Sequence, residues 1–164
     1  MNGLSLVAIL CLSGGLWIGA NAQCCQEDKL EECCKFCPDG WTRYKGRCFY
    51  YVAKPEDFGT AEYNCVGLGG NLVSIHSKPE LTFIEGVIRR VTGVNKRIWA
   101  GGFDSAKEGS WMWTDGSKFN FRFWGRRQPD NGARTEHCME LNWRGMPNDH
   151  QCYHKKPYMC AKDL

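Results

Sequence analysis

Leu4 to Ile18 is a nearly unbroken apolar run, whereas Gln23 to Phe36 is polar, cysteine-dense and has almost nothing to bury. From Cys37 the texture changes. The turn Pro38-Asp39-Gly40 leads into Arg47-Cys48-Phe49-Tyr50-Tyr51-Val52, whose aromatic and β-branched content predicts a strand. Thr60 to Leu68 carries Ala61, Tyr63, Cys65 and Leu68 at helical spacings and stops at Gly69-Gly70, which predicts a first helix. Ser77-Lys78-Pro79-Glu80 has the Ser-x-x-Glu form of a capping box. Phe83, Ile84, Val87, Ile88 and Val91 then repeat as one apolar face before Gly93, predicting a second helix. After Arg97 the pattern shortens to Ile98–Gly102, Trp111–Trp113, Met139–Trp143 and Tyr158–Cys160, a series of short strands between Gly, Asp and Asn turns. The long aperiodic stretch among them holds most of the polar chemistry.

The cysteines and the N-terminus set the compartment. Eleven cysteines in 164 residues suit an oxidising environment, and the apolar run is too short to span a bilayer comfortably. It ends at Ala20-Asn21-Ala22, a small-x-small pattern of the kind cleaved by signal peptidase. A secretory signal peptide over residues 1–22 is therefore expected, followed by a cysteine-rich stalk over 23–36 and a globular domain over 37–164. Removing Cys11 with the signal leaves ten cysteines, an even number suited to disulfides. No second apolar stretch of spanning length and no Asn-x-Ser/Thr sequon follow. The expectation is a secreted, extracellular protein that does not insert into membranes. A formal net charge of +3, with basic and acidic residues interspersed, gives no nucleic-acid footprint.

From Cys37 to the C-terminus the chain resembles the C-type lectin family. Trp99-Ala100-Gly101-Gly102 stands where that family has a Trp-Ile-Gly core strand. Trp111-Met112-Trp113-Thr114-Asp115-Gly116 is similar to its Trp-x-Trp-x-Asp-Gly turn, and the six cysteines after Phe36 have family-like spacing. The resemblance implies an α+β C-type lectin-like domain with two helices, two small antiparallel sheets and a long calcium-binding loop region. It also implies the pairs Cys37–Cys48, Cys65–Cys160 and Cys138–Cys152, among the fifteen pairings that six cysteines allow. Cys24, Cys25, Cys33 and Cys34 lie outside that set. They are expected to form at least one interchain bridge, giving a disulfide-linked dimer or oligomer.

Gln128-Pro129-Asp130, Glu136, and Asn148-Asp149 have the order and spacing of the family's sugar-binding calcium site. Calcium takes six to eight oxygens, and these residues offer side-chain oxygens plus the Asp149 carbonyl, with sugar hydroxyls completing the shell. Without a cation, Asp130, Glu136 and Asp149 would repel one another. The resemblance further implies a cis Gln128–Pro129 bond. It implies galactose-type ligands, terminal galactose or lactose, because Gln-Pro-Asp reverses the donor and acceptor order of the mannose-type Glu-Pro-Asn. Gln128, Asp130, Glu136 and Asn148 would then touch the sugar.

The sequence departs from the family pattern at several points. Asn131 is followed by Gly132 where galactose-type relatives place a stacking tryptophan, so Trp143, with His150 and Trp124 behind it, is the expected substitute. Pro147 replaces the usual Trp before Asn148. Asp104, Glu108 and Asn131 stand where some relatives hold an auxiliary calcium, but His137 replaces an acid there, favouring ordinary turn contacts. The same family contains type II antifreeze proteins that bind ice and venom-type domains that bind proteins, and both are competing readings. The antifreeze relatives typically add two core disulfides, whereas Val66 to His137 contains no cysteine. No nucleophile–base spacing among His76, His137, His150 and His154, and no Gly-x-Ser-x-Gly or His-Glu-x-x-His motif, suggests an enzyme.

Overall fold

The structure, a computed structural model, describes residues 36–164. The expected signal segment, the stalk and its four cysteines lie outside the described residues. Strand β1 (Thr42–Tyr44) turns back into the long β2 (Arg47–Glu56), which is followed by helix α1 (Phe58–Gly67) and β3 (Asn71–Leu72). Helix α2 (Lys78–Thr92) leads to β4 (Ile98–Phe103) and β5 (Met112–Trp113). After the long loop come β6 (Cys138–Trp143), β7 (Met146–His150) and β8 (Lys156–Asp163).

Local signals explain both helices. Asp57 accepts from Thr60 N at 2.9 Å and caps α1, so the helix starts at Phe58, earlier than the apolar spacing alone indicates. Phe58 is thereby placed edge-on against the Trp99 ring at 5.8 Å. Ser77 caps α2, but Glu80 does not close the expected reciprocal box onto it. Its carboxylate accepts from His76 N at 2.8 Å and takes an ion pair from Arg47 at 2.6 Å, tying the helix start to β2. The buried face of α2 is Leu81, Ile84, Val87 and Ile88. Val91, expected on that face, is 59% exposed in the final turn.

The strand order is β1-β2-β8-β4-β6-β7, with β3 on β8 and β5 on β4. The two antiparallel groups expected from the resemblance are both present, but as parts of one mixed eight-stranded sheet. They meet at a parallel bridge, Trp99↔Tyr158. The physical reason lies in the side chains above that bridge. The Lys156 ammonium sits 4.9 Å from the centroid of the Trp99 ring and reaches Glu140 on β6 at 2.9 Å, holding β8 against β4.

The core lies between this sheet and the helices and includes Phe49, Val73, Ile75, Ile84, Ile98, Met139 and Met159. Disulfides Cys37–Cys48, Cys65–Cys160 and Cys138–Cys152 form as the resemblance implied, and the second closes a separation of 95 residues between α1 and β8. β7, for which the hydrophobic pattern gave no strand, exists because Arg144 (φ 49) and Gly145 (φ 79) form a two-residue hairpin turn from β6.

Two glycines separate close packing from backbone freedom. A Cβ on Gly101 would lie 2.6 Å from the Leu72 carbonyl oxygen, whereas one on Gly86 in α2 would meet nothing within 4 Å. Gly101→Ala is expected to lower the urea midpoint by the equivalent of about 1–3 kcal/mol. Gly86→Ala should raise it by about 0.5–1 kcal/mol, as expected inside a helix.

Candidate functional site

The chemistry expected from the sequence gathers where the loop after β5 folds onto β7. Asn148 and Asp149 lie in the middle of β7, buried against β6 through the pairs Glu140↔Asn148 and Met139↔Asp149. The Gln128–Pro129 peptide bond is cis. Asp130 N donates to both Gln128 Oε1 and Asp149 Oδ1, each at 3.2 Å, and Asn131 N donates to Asp149 Oδ2 at 2.6 Å. Glu136 Oε2 accepts from Gly132 N at 3.0 Å, which folds the short 3-10 turn Gly132–Arg134 over its own carboxylate. Carboxylate oxygens of Asp130, Glu136 and Asp149 thus come within 4.8 Å of one another.

Electrostatically this trio is incomplete by itself. Burial pushes the Asp149 carboxyl up from its ordinary range, and the Asp130 charge adds to the rise against the opposing backbone N–H donors. Glu136 is also raised, by burial and then by the charges of Asp149, Asp130 and Glu140, while the Gly132 N–H opposes. A divalent cation among the oxygens would reverse both effects. The donors are all oxygens: three carboxylates, with the Gln128 and Asn148 amides beside them. That set matches a hard cation such as calcium and lacks the His or Cys that zinc favours.

Asn148 depends on a residue to which the sequence reading gave no role. Its Nδ2 donates to Glu140 Oε1 at 3.0 Å and to the Asp149 carbonyl, while its Oδ1 takes no hydrogen bond among the described residues. Glu140 has 0% exposure and also accepts a two-pronged contact from Arg97, 2.9 and 2.6 Å, and the Lys156 ammonium at 2.9 Å. Burial raises its carboxyl, but the Arg97 and Lys156 hydrogen bonds outweigh this and leave it below the ordinary range. The available signal was an acid between Met139 and Leu141 in a strand whose neighbours read as core.

The three expected stacking residues occupy three different places. His150 lies at the trio, its Nδ1 3.7 Å from Glu136 Oε1. This is not an ion pair, because Nδ1 accepts from Gln151 N at 2.7 Å and burial lowers the imidazole pKa. Trp124 packs against Trp111 at 4.4 Å and lines a cavity with Gln128 and Pro129. Trp143 lies under the Arg144 guanidinium, 4.5 Å from the ring centroid, in a separate cavity with Gly125, Arg126, Arg127 and Met146.

Asp104, Glu108 and His137 form a second cluster within 4.8 Å. There His137 Nδ1 lies 3.0 Å from Asp104 Oδ1, Gly109 N donates to Asp104 Oδ2 at 2.7 Å, and Asn131 Nδ2 donates to Glu108. These are turn contacts closed within the protein, and Asn131 links this cluster to the first.

Fold and site together define a disulfide-braced α+β domain that presents an oxygen-lined loop on a strand hairpin. The Lectin C-type domain model matches residues 54–162. The galactose-specific lectin nattectin of Thalassophryne nattereri is 42% identical over 156 residues, 94% of each protein. Among solved structures, herring type II antifreeze protein has a TM-score of 0.72 and 32% identity, covering 78% of this chain and 99% of that one. The C-type lectin CEL-I of Cucumaria echinata also has a TM-score of 0.72, at 28% identity over 76% of this chain and 96% of that one. The chain belongs to the C-type lectin domain family.

Because Glu140 neutralises Lys156 and positions Asn148, Glu140→Gln is expected to cost about 3 kcal/mol in urea unfolding, the scale of a broken buried ion pair. A loss below about 1 kcal/mol would show that this carboxylate does not hold the strands.

Proposed function

We propose that the chain is a secreted, calcium-dependent lectin for terminal galactose or lactose, acting by binding and without a catalytic step. The observation that carries this reading is the convergence of the Asp130, Glu136 and Asp149 carboxylates within 4.8 Å where the loop meets β7. Gln128, Asp130, Glu136, Asn148 and Asp149 would hold one calcium ion, and the ion would accept vicinal sugar hydroxyls as its remaining ligands. The chain's own groups would then orient the sugar. The Gln128 amide donates to one hydroxyl, and Asp130 accepts from another through its free carboxylate lone pairs. That order of donor and acceptor is the galactose one, and the similarity to a galactose-specific lectin supports it. His150, 3.7 Å from Glu136, would be available as a stacking ring, with Trp143 and Trp124 as the others.

A single shallow site binds weakly. Interchain bridges through Cys24, Cys25, Cys33 or Cys34 would link sites and raise avidity by about 10²- to 10⁴-fold, making the protein an agglutinin suited to innate defence. The similarity to herring type II antifreeze protein supports a second reading in which the same loop surface contacts ice.

One experiment separates the two. The lectin should be retained on immobilised lactose in calcium and released by chelator, and Asp149→Asn should weaken calcium uptake in calorimetry by more than about tenfold, since affinity follows ligand charge. Thermal hysteresis without lactose retention would replace the lectin reading with the ice-binding one.

A further inference from the structure

Joined to the site through Gln128 lies a group of arginines that the galactose reading does not use. Gln128 N donates to Gly125 O at 3.0 Å, closing a turn whose two central residues are Arg126 and Arg127. The turn is pinned to β7. Gly125 N donates to the Pro147 carbonyl at 2.9 Å, and a Cβ on Gly125 would lie 3.1 Å from both Met146 Cβ and Pro147 O. On the facing hairpin, Arg144 stands over Trp143, and stacking on an aromatic face fixes the direction of its guanidinium. Arg126, Arg127, Arg144, Trp143 and Met146 line one cavity of about 380 Å³.

These arginines have no counter-charge. Among the described residues, Arg126, Arg127 and Arg144 make no ion pair, and neither does the exposed Arg122 nearby, whereas Arg47 and Arg97 are each matched to a buried glutamate. Three cations held unpaired around a concave, partly apolar site fit a compact anion attached to something with an apolar face. The guanidinium fork meets sulfate or carboxylate oxygens in pairs. An extended polyanionic surface fits less well, because the acidic trio adjoins the turn through Gln128 and the cavity has the size of a small-ligand site.

The geometry points to Arg126, Arg127 and Arg144, gathered around Trp143, as a subsite for the anionic substituent of a galactose-terminated glycan. This inference rests on the galactose reading of the adjoining site. It adds a selectivity that the calcium ligands alone do not supply: sulfated or sialylated galactosides over the neutral sugar.

Titration calorimetry in calcium with lactose, sulfated lactose and sialylated lactose tests it. Both anionic sugars should bind about tenfold tighter than lactose, as expected for new charge-assisted contacts. The advantage should shrink as salt is raised. The double variant Arg126→Gln/Arg144→Gln should bring them to the lactose value and leave lactose binding unchanged. A gain for only one anionic sugar identifies sulfate or carboxylate as the group received. Equal affinities for all three sugars, or a gain that survives the double variant, overturns the subsite. If lactose does not bind but sulfated lactose does, with the same loss in the variant, the subsite stands and the galactose reading falls. Arginine-dependent binding to phosphatidylserine vesicles without preference among the sugars would assign the patch to a membrane surface and overturn it.

Discussion

A single buried carboxylate joins the scaffold to the site. Glu140 on β6 receives Arg97 from the start of β4, Lys156 from the start of β8 and the Asn148 amide from β7. One side chain with 0% exposure therefore fixes the spacing of four strands. Its position is stable only because all its partners are present, since a buried charge without compensation is costly and a fully satisfied network is rigid. The same contacts hold the Asn148 amide in a fixed orientation. The orientation of Asn148 is thus set by a charge balance in the interior.

The loop has the opposite arrangement. Asp130, Glu136 and Asp149 are brought together without a protein cation, and burial, followed by the charges of the neighbouring carboxylates, raises the affinity of Glu136 and Asp149 for protons. A few residues away the arginines are brought together without anions. Glu140 is paired in the interior, whereas the loop carboxylates, the buried Asp149 among them, make no ion pair with Lys or Arg among the described residues, so the loop would favour a cation among them. Solvent screens the exposed Asp130 and the exposed arginines, whereas the buried Asp149 is compensated by the Asp130 and Asn131 N–H groups.

The elements legible in the sequence were those whose signals are local or repeated. The Ser77 cap and the apolar repeat located α2, and the cysteine spacing, through family resemblance, led to the three disulfides. Gln128, Asp130, Glu136, Asn148 and Asp149 were nameable through the same resemblance, because their order and spacing match the family's site. Three features were hidden for physical reasons. β7 has no apolar alternation of its own and depends on the Arg144-Gly145 turn, where the usual Asn-Gly signal is absent. Glu140 received no role from the sequence because its partners Arg97 and Lys156 are 43 and 16 positions away, a pairing that only the sheet order creates. The joining of the two strand groups rests on one bridge at Trp99, which no periodicity encodes.

The loop's conformation and its proposed ion are physically coupled. Arg127, Asn131, Ala133 and Arg134 all have positive φ, a region that costs a non-glycine residue on the order of 1–2 kcal/mol. Such a run persists only where other contacts determine it. Here the contacts come from the carboxylates themselves: Asp149 accepts from Asp130 N and Asn131 N, and Glu136 accepts from Gly132 N. A carboxylate has about four lone-pair sites, so these groups can hold the backbone and still offer oxygens outward. An ion on the outward side would strengthen the ionised form that the backbone N–H groups also prefer. Metal affinity and loop order would then share the same free energy, and a substitution that relaxes the strained backbone would alter both together.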